Sequence, residues 1–288
     1  MKIALIGVGL IGGSFARAAL AAGAATSVVG FDTDATALAT ARALGAVTGI
    51  AESMASAVDG ADLVVLAVPV GAMGETMKTI AAHLREDAVI TDVGSTKSSV
   101  VAAARAALGP RFARFVPGHP IAGREQPGVA SSDPRLFEGK LFIATPVAET
   151  DAGASALVEG LWQRLGCRVE RMEVEEHDRV FAAVSHLPHL LAFALVAQIA
   201  GESDADSKLR RAGAGFRDFT RIAASSPRMW RDVCIANADA LSTELAGYRA
   251  LLDDLQSALD ARDGDRLESV FRAAAECRRT HAPRLDAE

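Results

Sequence analysis

Residues 2–14 read KIALIGVGLIGGS, and this segment carries the strongest fold signal in the chain. A short apolar run over residues 2–6 is followed at once by the glycine motif GVGLIG of residues 7–12, which opens an Ala-rich helical pattern. Between a strand and a helix, GxGxxG is typical of a dinucleotide site, because the glycines permit a tight turn, admit the pyrophosphate and let helix and strand pack closely. Helix amides then face the phosphates. The cofactor-binding residues expected here are Gly7, Gly9, Leu10, Ile11 and Gly12.

A second apolar run, Ser27 to Phe31, ends at Asp32, twenty residues after Gly12. An acid at this position accepts hydrogen bonds from the adenosine ribose. Its carboxylate repels a 2′-phosphate, and the next two residues, Thr33 and Asp34, supply no compensating arginine. We therefore expect NAD rather than NADP as the cofactor. An N-cap role for Asp32, at the helix that starts near Asp34, is an alternative compatible with ribose binding.

The first part of the chain alternates apolar runs with helical patterns, which predicts an α/β fold with a Rossmann-type, doubly wound, mostly parallel sheet. Continuous apolar runs suit strands that are covered on both faces. The candidate strands are Lys2 to Ile6, Ser27 to Phe31, Leu63 to Val68, Ala88 to Asp92, Arg114 to Pro117, Leu141 to Thr145 and Cys167 to Glu170. The helical patterns between them include Ile11 to Ala22, Asp34 to Ala43, Ser98 to Leu108 and Asp151 to Leu165.

After Met172 the strand signals stop and long patterns of period 3.6 follow. These are Glu175 to Ala200, Pro227 to Ala261 in two pieces, and Arg262 to Arg279. We therefore expect two domains, an NAD-binding Rossmann domain over residues 1–172 and an all-helical domain over residues 173–288. No linker rich in Pro, Gly or Ser separates them, so close packing is expected.

The composition limits the classes of protein to which the chain could belong. The chain has 288 residues, 50% hydrophobic and 23% charged, as expected of a folded protein of about two domains. Its net charge of −6 argues against nucleic acid as a partner. The N-terminus lacks a signal-peptide pattern, and the apolar stretch Leu187 to Ala197 is interrupted and too short for a bilayer, so no membrane and a cytoplasmic location are expected. Three cysteines without a CxxC pair, Cys167, Cys234 and Cys277, are expected to be buried small apolar residues.

Ligands of doubly wound sheets bind beyond the carboxyl ends of the strands, so residues that follow the later strands are the candidates for chemistry. His119 stands between Gly118 and Pro120 after the fifth strand, where an imidazole would take a hydroxyl proton as hydride leaves the same carbon. Ser95 would orient that imidazole or touch the cofactor amide. A structural loop histidine, a capping Ser95 and a solvated Lys97 are the plain alternatives.

The helical half holds further polar candidates. His186 and His189 suggest a metal, but no third and fourth ligand is spaced to match and Pro188 disturbs the helical register, so no metal is predicted. Residues 208–231 contain seven basic side chains and one acid, Asp218. Within this stretch, Arg217 and Arg221 each supply a guanidinium group, which binds a carboxylate through two parallel hydrogen bonds. The stretch is either an anionic small-molecule site or a solvated helix face.

Five segments together resemble one family, the prephenate/arogenate dehydrogenases, also called cyclohexadienyl dehydrogenases. The segments are GLIGGS at 9–14, DVGSTK at 92–97, GHPIAG at 118–123, SHLPH at 185–189 and GFRDFTR at 215–221. The first is common to dinucleotide enzymes, whereas the last three in this order are specific. The resemblance spans nearly the whole chain.

The resemblance implies oxidation of prephenate or arogenate with a nicotinamide cofactor, loss of CO2, and formation of 4-hydroxyphenylpyruvate or tyrosine. It implies that His119 is the general base on the ring hydroxyl and that Ser95 lies near it and the nicotinamide. It places His189 and Arg221 at the substrate, with Arg221 as the carboxylate anchor. Lys97, Asp218 and Trp230 fall at pocket positions. The helical domain of this family binds substrate and forms a homodimer.

One position departs from the expected pattern, because Arg124 stands where many relatives have Ser or Thr. Arg124 would attract the keto acid of prephenate, whereas Glu125 would pair with the amino group of arogenate. We expect prephenate as the substrate, with use of arogenate left open. Two alternatives also stay open. One is another two-domain NAD-dependent dehydrogenase of hydroxy acids or imines, for which Lys208 is the one lysine of the helical half. The other is a non-catalytic NAD-binding protein.

Overall fold

The computed structural model describes residues 1–124 and 126–285. It contains two compact units, one from Met1 to Ala238 and one from Asp239 onward. The domain boundary predicted after Met172 is a change of composition that lies inside the first unit, and it stays a prediction.

A six-stranded parallel sheet forms the centre of the first unit, in the order β3-β2-β1-β4-β5-β6. Its strands are β1 Lys2–Ile6, β2 Ser27–Phe31, β3 Gly49–Ile50, β4 Leu63–Leu66, β5 Val89–Asp92 and β6 Phe115–Val116. The helices between them are α1 Leu10–Ala21, α2 Ala35–Ala43, α3 Met54–Val58, α4 Met73–Ala81 and α5 Ser98–Leu108. The strand order reverses beside β1, so the predicted doubly wound fold is confirmed.

Alternate residues of β1 enter two different apolar cores. Ile3 and Leu5 belong to a core with Phe15 of α1, whereas Ala4 and Ile6 belong to a second core with Met73 of α4. Successive side chains of a strand point to opposite faces, so a strand covered on both faces must be apolar throughout. This explains the continuous apolar runs of the sequence.

Two predicted strands lie outside the main sheet, which corrects the sequence-based topology. A separate three-stranded sheet contains β7 Gly118–Ile121, β8 Leu141–Ala144 and β9 Arg168–Arg171, with α6 Ala152–Arg164 between the last two. Strand β7 is antiparallel to β8, and His119 lies opposite Ile143. Pro120 is tolerated because β7 is an edge strand and a proline there removes no necessary hydrogen bond. His119, expected on a loop, is therefore part of a strand.

Helices dominate the described residues after Met172, which contain no strand. The further helices of the first unit are α7 Val174–Phe181, α8 Leu187–Ala200, α9 Ala205–Leu209, α10 Ala214–Thr220 and α11 Pro227–Ala236. The second unit contains nearly all of α12 Ala238–Asp260 and α13 Gly264–Leu285. Within it, Arg266 of α13 forms an ion pair of 2.7 Å with Asp254 of α12.

A π-helical turn, Ala182–His186, joins α7 to α8 into one continuous helix over residues 174–200. Pro188 lacks an amide hydrogen, and the wider turn just before it accommodates this loss. By length and composition alone this helix is able to cross a membrane, since an 18-residue window within it has a mean hydropathy of 1.9, and it is longer than the interrupted stretch of residues 187–197 that the sequence indicated. Its first half carries buried His177, Asp178 and His186, which hydrogen-bond within the first unit.

All three cysteines are free thiols, but only one of them matches the expected environment. Cys167 is buried, and burial raises its pKa to about 12. Cys234 is half-buried and Cys277 is exposed on α13. The prediction of three buried cysteines therefore holds for Cys167, is met only in part by Cys234 and is wrong for Cys277, because the described residues of α13 are mostly solvent-facing.

Candidate active site

The glycine turn between β1 and α1 has the geometry that a dinucleotide requires. Gly7 has φ +94°, and a Cβ there would strike the backbone of Ala67. A Cβ at Gly12 would strike the carbonyl oxygen of Gly7, so both positions exclude a side chain. A Cβ at Gly9 would meet no protein atom within 4 Å. Open space at Gly9, beside the uncapped N-terminus of α1 at Leu10 and Ile11, fits an approaching pyrophosphate.

Asp32 follows β2 and lies beside this turn. One carboxylate oxygen accepts the amide of Val8 at 2.7 Å, and the other accepts the amide of Asp34 at 3.0 Å. The N-cap of α2 is Asp34, whose side chain accepts the amides of Thr36 and Ala37. Asp32 is therefore not the helix cap. Its half-buried carboxylate is fixed at the carboxyl edge of the sheet, where an adenosine ribose binds in this fold.

A buried ion pair places the strand that carries His119. Lys97 has no solvent exposure and pairs with Asp92 at the end of β5. The Lys97 ammonium also donates to the carbonyl oxygen of Gly118 at 2.6 Å, and Asp92 accepts the amide of Gly118 at 3.2 Å. A Cβ at Gly118 would strike the ring of Phe142. The residue before His119 is thus held through both of its backbone groups and admits no side chain.

His119 makes its closest polar contact with a second imidazole. Its Nδ1 lies 2.9 Å from Nε2 of His177, and Nδ1 of His177 lies 2.9 Å from Oδ1 of Asp178. Asp178 also accepts the amides of Lys97 at 2.7 Å and Ser98 at 2.8 Å, which are the residues where α5 begins. The ring of Phe181 lies at 4.8 Å from the ring of His119, centroid to centroid. Helix α7 thus supplies most of the surroundings of His119.

The environment keeps these imidazoles neutral near pH 7. Burial, with the positive charge of Lys97 among the smaller causes, holds the pKa of His119 well below its usual 6.5. Burial likewise lowers the pKa of His177. Burial alone would raise the pKa of the Asp178 carboxyl, but hydrogen bonds from His177 and Ser98 outweigh it, and that pKa is lowered. A neutral, partly exposed His119, linked through His177 to Asp178, is equipped to accept a proton.

The polar network continues along the long helix toward His189. Asn237 donates to the carbonyl oxygen of Asp178 at 2.8 Å and contacts Nδ1 of His186 at 3.0 Å. The ring of His189 stacks on Trp230, with centroids 3.6 Å apart and an interplanar angle of 19°. Burial lowers the pKa of His189, and the nearby positive charge of Arg221 lowers it further. His186 and His189 thus have non-metal partners, and no metal-binding cluster occurs within residues 1–124 and 126–285.

Some predicted site residues lie in surroundings that differ from the expectation. Lys97 is engaged by Asp92 and Gly118 in the interior, so it supports strand β7, whereas substrate contact was predicted. The contact that orients His119 comes from His177, and the cofactor contact of Ser95 stays a prediction. Arg217 and Asp218 lie exposed on α10, and their substrate contacts also stay predictions.

The segment after β7 contains the two selectivity candidates. Arg124 forms an ion pair with Asp133, whose amide hydrogen-bonds to Ser14 of α1 at 3.0 Å. Glu125 lies outside the described residues. Arg124 is therefore anchored beside the dinucleotide-binding helix, with about half of its side chain exposed (48%).

Sequence reasoning assigned no role to His177, Asp178 or Asn237. In the sequence, His177 and Asp178 are adjacent polar residues at the start of an apolar helical pattern. This position is the one sequence feature that points to them. Asn237 gave no signal, because its partners lie 51 and 59 residues away in the chain. Only the packing of the helices against β5 and α5 brings these groups together.

Fold and site together define a Rossmann-type dehydrogenase. Residues 15–171 match the family description "Prephenate dehydrogenase, nucleotide-binding domain", and residues 173–273 match "Prephenate dehydrogenase, dimerization domain". The chain therefore belongs to the prephenate dehydrogenase family.

Individual relatives cover almost the full length. A cyclohexadienyl dehydrogenase of Zymomonas mobilis is 39% identical over 278 residues, which are 96% of this chain and 94% of that protein. The crystal structure of prephenate dehydrogenase from Aquifex aeolicus, in complex with hydroxyphenyl propionate and NAD+, is 35% identical with a TM-score of 0.89, and the match covers 100% of this chain and 98% of that one. Arogenate dehydrogenase of Synechocystis is 27% identical with a TM-score of 0.79, covering 98% and 100% of the two chains.

Proposed function

We propose that this chain oxidises prephenate with NAD, releases CO2 and forms 4-hydroxyphenylpyruvate. The observation that carries the proposal is a neutral, partly exposed His119 held at the carboxyl side of the same parallel sheet whose first turn is the glycine motif. That edge is where a dinucleotide and its substrate meet in this fold. The Zymomonas and Aquifex relatives, with their named activities and the NAD+ of the Aquifex complex, support the same reaction.

The glycine turn and Asp32 would hold the cofactor. Gly9 leaves room for the pyrophosphate, the start of α1 presents backbone amides, and Asp32 would accept hydrogen bonds from the ribose. When bound, NAD supplies the hydride acceptor. The carboxylate of Asp32 favours the free 2′-hydroxyl of NAD over a phosphate.

His119 acts on the substrate hydroxyl. As hydride leaves the ring carbon that bears the hydroxyl, Nε2 of His119 receives the hydroxyl proton. Loss of the ring carboxylate as CO2 then restores aromaticity, which makes the reaction effectively irreversible. The protein mainly orients the reactants, and the strand clamp on Gly118 serves that purpose.

The substrate is an anion, and the basic stretch of the helical half suits it. Arg221 lies close enough to His189 for its charge to act on that imidazole, and both are candidates to bind the carboxylates. Arg217, Asp218 and Trp230 are the further candidates around them. For the side chain of the substrate we propose that Arg124 favours prephenate, with arogenate as a second substrate, as the name of the Synechocystis relative suggests.

We also propose a cytoplasmic homodimer that binds neither nucleic acid nor membrane. The match of residues 173–273 to a dimerization domain supports self-association. Large apolar side chains are exposed on the helices, and a second copy would cover them; examples are Val184, Ile235, Leu259 and Phe271. The three free thiols suit a reducing compartment.

A dehydrogenase of small hydroxy acids or imines is the second candidate, and its expected lysine is poorly placed. Lys208 lies on α9 at the surface, where its ammonium forms ion pairs with Glu202 and Asp204. No observation in the structure favours that reaction over oxidation by NAD with a histidine as the base.

Purified protein mixed with NAD and either prephenate or arogenate tests the proposal. We expect reduced nicotinamide to accumulate with prephenate, together with 4-hydroxyphenylpyruvate, and more slowly with arogenate. The variant His119→Asn is the matched control, in which kcat should fall by about a hundredfold or more because the base is lost. Absence of turnover with both substrates would overturn the proposed function.

A further inference from the structure

The groups behind His119 form an ordered chain of hydrogen bonds that the reaction scheme above does not use. We infer that His177 and Asp178 are positioning residues that hold His119 with its proton on Nδ1 and its lone pair on Nε2, toward the substrate. This inference rests on the proposed function, because it gives a reason for the reactivity of the proposed base.

The chain starts at Asp178, whose two oxygens both accept hydrogen bonds. Oδ1 accepts the Lys97 amide at 2.7 Å, and Oδ2 accepts the Ser98 amide at 2.8 Å. These bonds favour the ionised carboxylate, which is an acceptor only. At the 2.9 Å contact between Oδ1 and Nδ1 of His177, the imidazole must therefore be the donor.

The remaining assignments follow from the chemistry of a neutral imidazole, which carries one N–H and one lone pair. Since His177 donates through Nδ1, its Nε2 holds the lone pair. That atom lies 2.9 Å from Nδ1 of His119, so His119 donates there. Nε2 of His119 is then left with the lone pair, as a general base requires. Burial keeps His177 neutral, which preserves this order.

The same bonds also suit the state after proton transfer. Protonated His119 carries N–H groups on both nitrogens, and its Nδ1–H still donates to His177. The contact therefore does not reorganise during the reaction, and the negative charge of Asp178 stabilises the imidazolium through the intervening ring. Phe181 packs against both rings, at 4.8 Å from His119 and 4.5 Å from His177, and limits their rotation.

Without the acceptor on His177, the imidazole of His119 would carry its proton on Nε2 in most molecules, as free histidine does, and would present a donor to the substrate hydroxyl. The variant His177→Leu removes the acceptor at similar volume. The variant His177→Gln retains an oxygen acceptor near the position of Nε2. If His177 selects the tautomer of His119, the two variants should differ in kcat. If His177 only packs against His119, both variants should lose kcat equally.

We expect kcat of His177→Leu to fall about ten- to a hundredfold with KM changed less than about twofold, and kcat of His177→Gln to stay within about threefold of the parent. Circular dichroism and NAD binding show whether each variant folds. Equal kcat in the parent and His177→Leu would overturn the inference. An equal loss in both folded variants would also overturn it, because it would indicate packing alone.

A measurement on the unsubstituted protein reports the tautomer of His119 without any change at His177. With ¹⁵N- and ¹³C-labelled histidine, the nitrogen shifts distinguish the two tautomers, and the His119 signals are those missing from His119→Asn. We expect the Nδ1–H form of His119 without substrate near pH 7. The Nε2–H form would overturn the inference. Because this reading requires no turnover, a failed activity assay would overturn the proposed function and leave the tautomer assignment standing.

Discussion

The ammonium of Lys97 donates a hydrogen bond of 2.6 Å to the carbonyl oxygen of Gly118, the residue directly before His119. The same ammonium pairs with Asp92, which also accepts the Gly118 amide. A completely buried ion pair therefore fixes the backbone next to the proposed base. Removal of one partner leaves a buried charge uncompensated, which should lower the free energy of unfolding.

We expect Lys97→Met to lose about 3–5 kcal/mol of unfolding free energy, because it leaves the completely buried Asp92 carboxyl without its cationic partner. Urea denaturation measures this loss. The double variant Asp92→Asn/Lys97→Met is the control, since it removes both charges and should be more stable than the single variant. A single variant as stable as the parent would contradict the role assigned to the ion pair.

Two glycines of the first turn should respond differently to the same substitution. Gly12→Ala places a methyl group against the carbonyl oxygen of Gly7 and should lower the melting temperature. Gly9→Ala meets no protein atom, so its melting temperature should match the parent while its affinity for NAD falls. Thermal unfolding and NAD titration of both variants check this. Unimpaired NAD binding in Gly9→Ala would contradict a pyrophosphate at that position.

Asp32 should determine the choice between NAD and NADP. In Asp32→Ala the repulsion of a 2′-phosphate is lost, so the preference for NAD in kcat/KM should narrow. Asp34→Ala is the matched control, because Asp34 caps α2 and its loss should cost about 1 kcal/mol of stability without altering the preference. If the parent protein already prefers NADP, the argument from the ribose fails.

Arg221 is predicted to bind a substrate carboxylate. Arg221→Ala should raise KM for prephenate about ten- to a hundredfold, as expected for a lost hydrogen bond between charged groups, with a smaller effect on kcat. Steady-state kinetics measure the change. Arg211→Ala, which removes an exposed guanidinium of the same basic stretch bonded to Ser207, should leave KM unaltered. An unchanged KM in Arg221→Ala would exclude it as the anchor.

The buried histidines predict that the protein loses stability in mild acid. Burial lowers the pKa of His186 from 6.5 to about 4, so between these values the unfolded chain binds a proton that the folded chain does not. The contribution of His186 is therefore complete above pH 6.5 and is lost as pH falls toward 4, by about 3 kcal/mol. Denaturation at a series of pH values measures the slope. His186→Leu should reduce that slope, and the exposed control His83→Gln should not.

The helices and parallel strands were largely predictable because their signals are local. The run over Lys2–Ile6 and the helix over Ser98–Leu108 have the predicted bounds, since apolar periodicity reflects burial along the segment itself. The pairing of the strands was harder to predict from the sequence. The run Leu141–Ala144 reads like any buried strand, and its pairing with β7 depends on where the chain turns after the main sheet.

The glycine spacing, the acid after the second strand and the family motifs are properties of the linear chain, and from them the Rossmann fold and the dehydrogenase family followed. The network His119–His177–Asp178–Asn237 contains hydrogen bonds that span 58 and 59 positions of the chain, and bonds over such separations exist only after helices and sheet have packed. The burial of Lys97 is of the same kind, because a lysine in a sequence looks the same whether water or a carboxylate surrounds it. Composition and spacing therefore identify what chemistry is available, and desolvation on packing sets which atoms perform it.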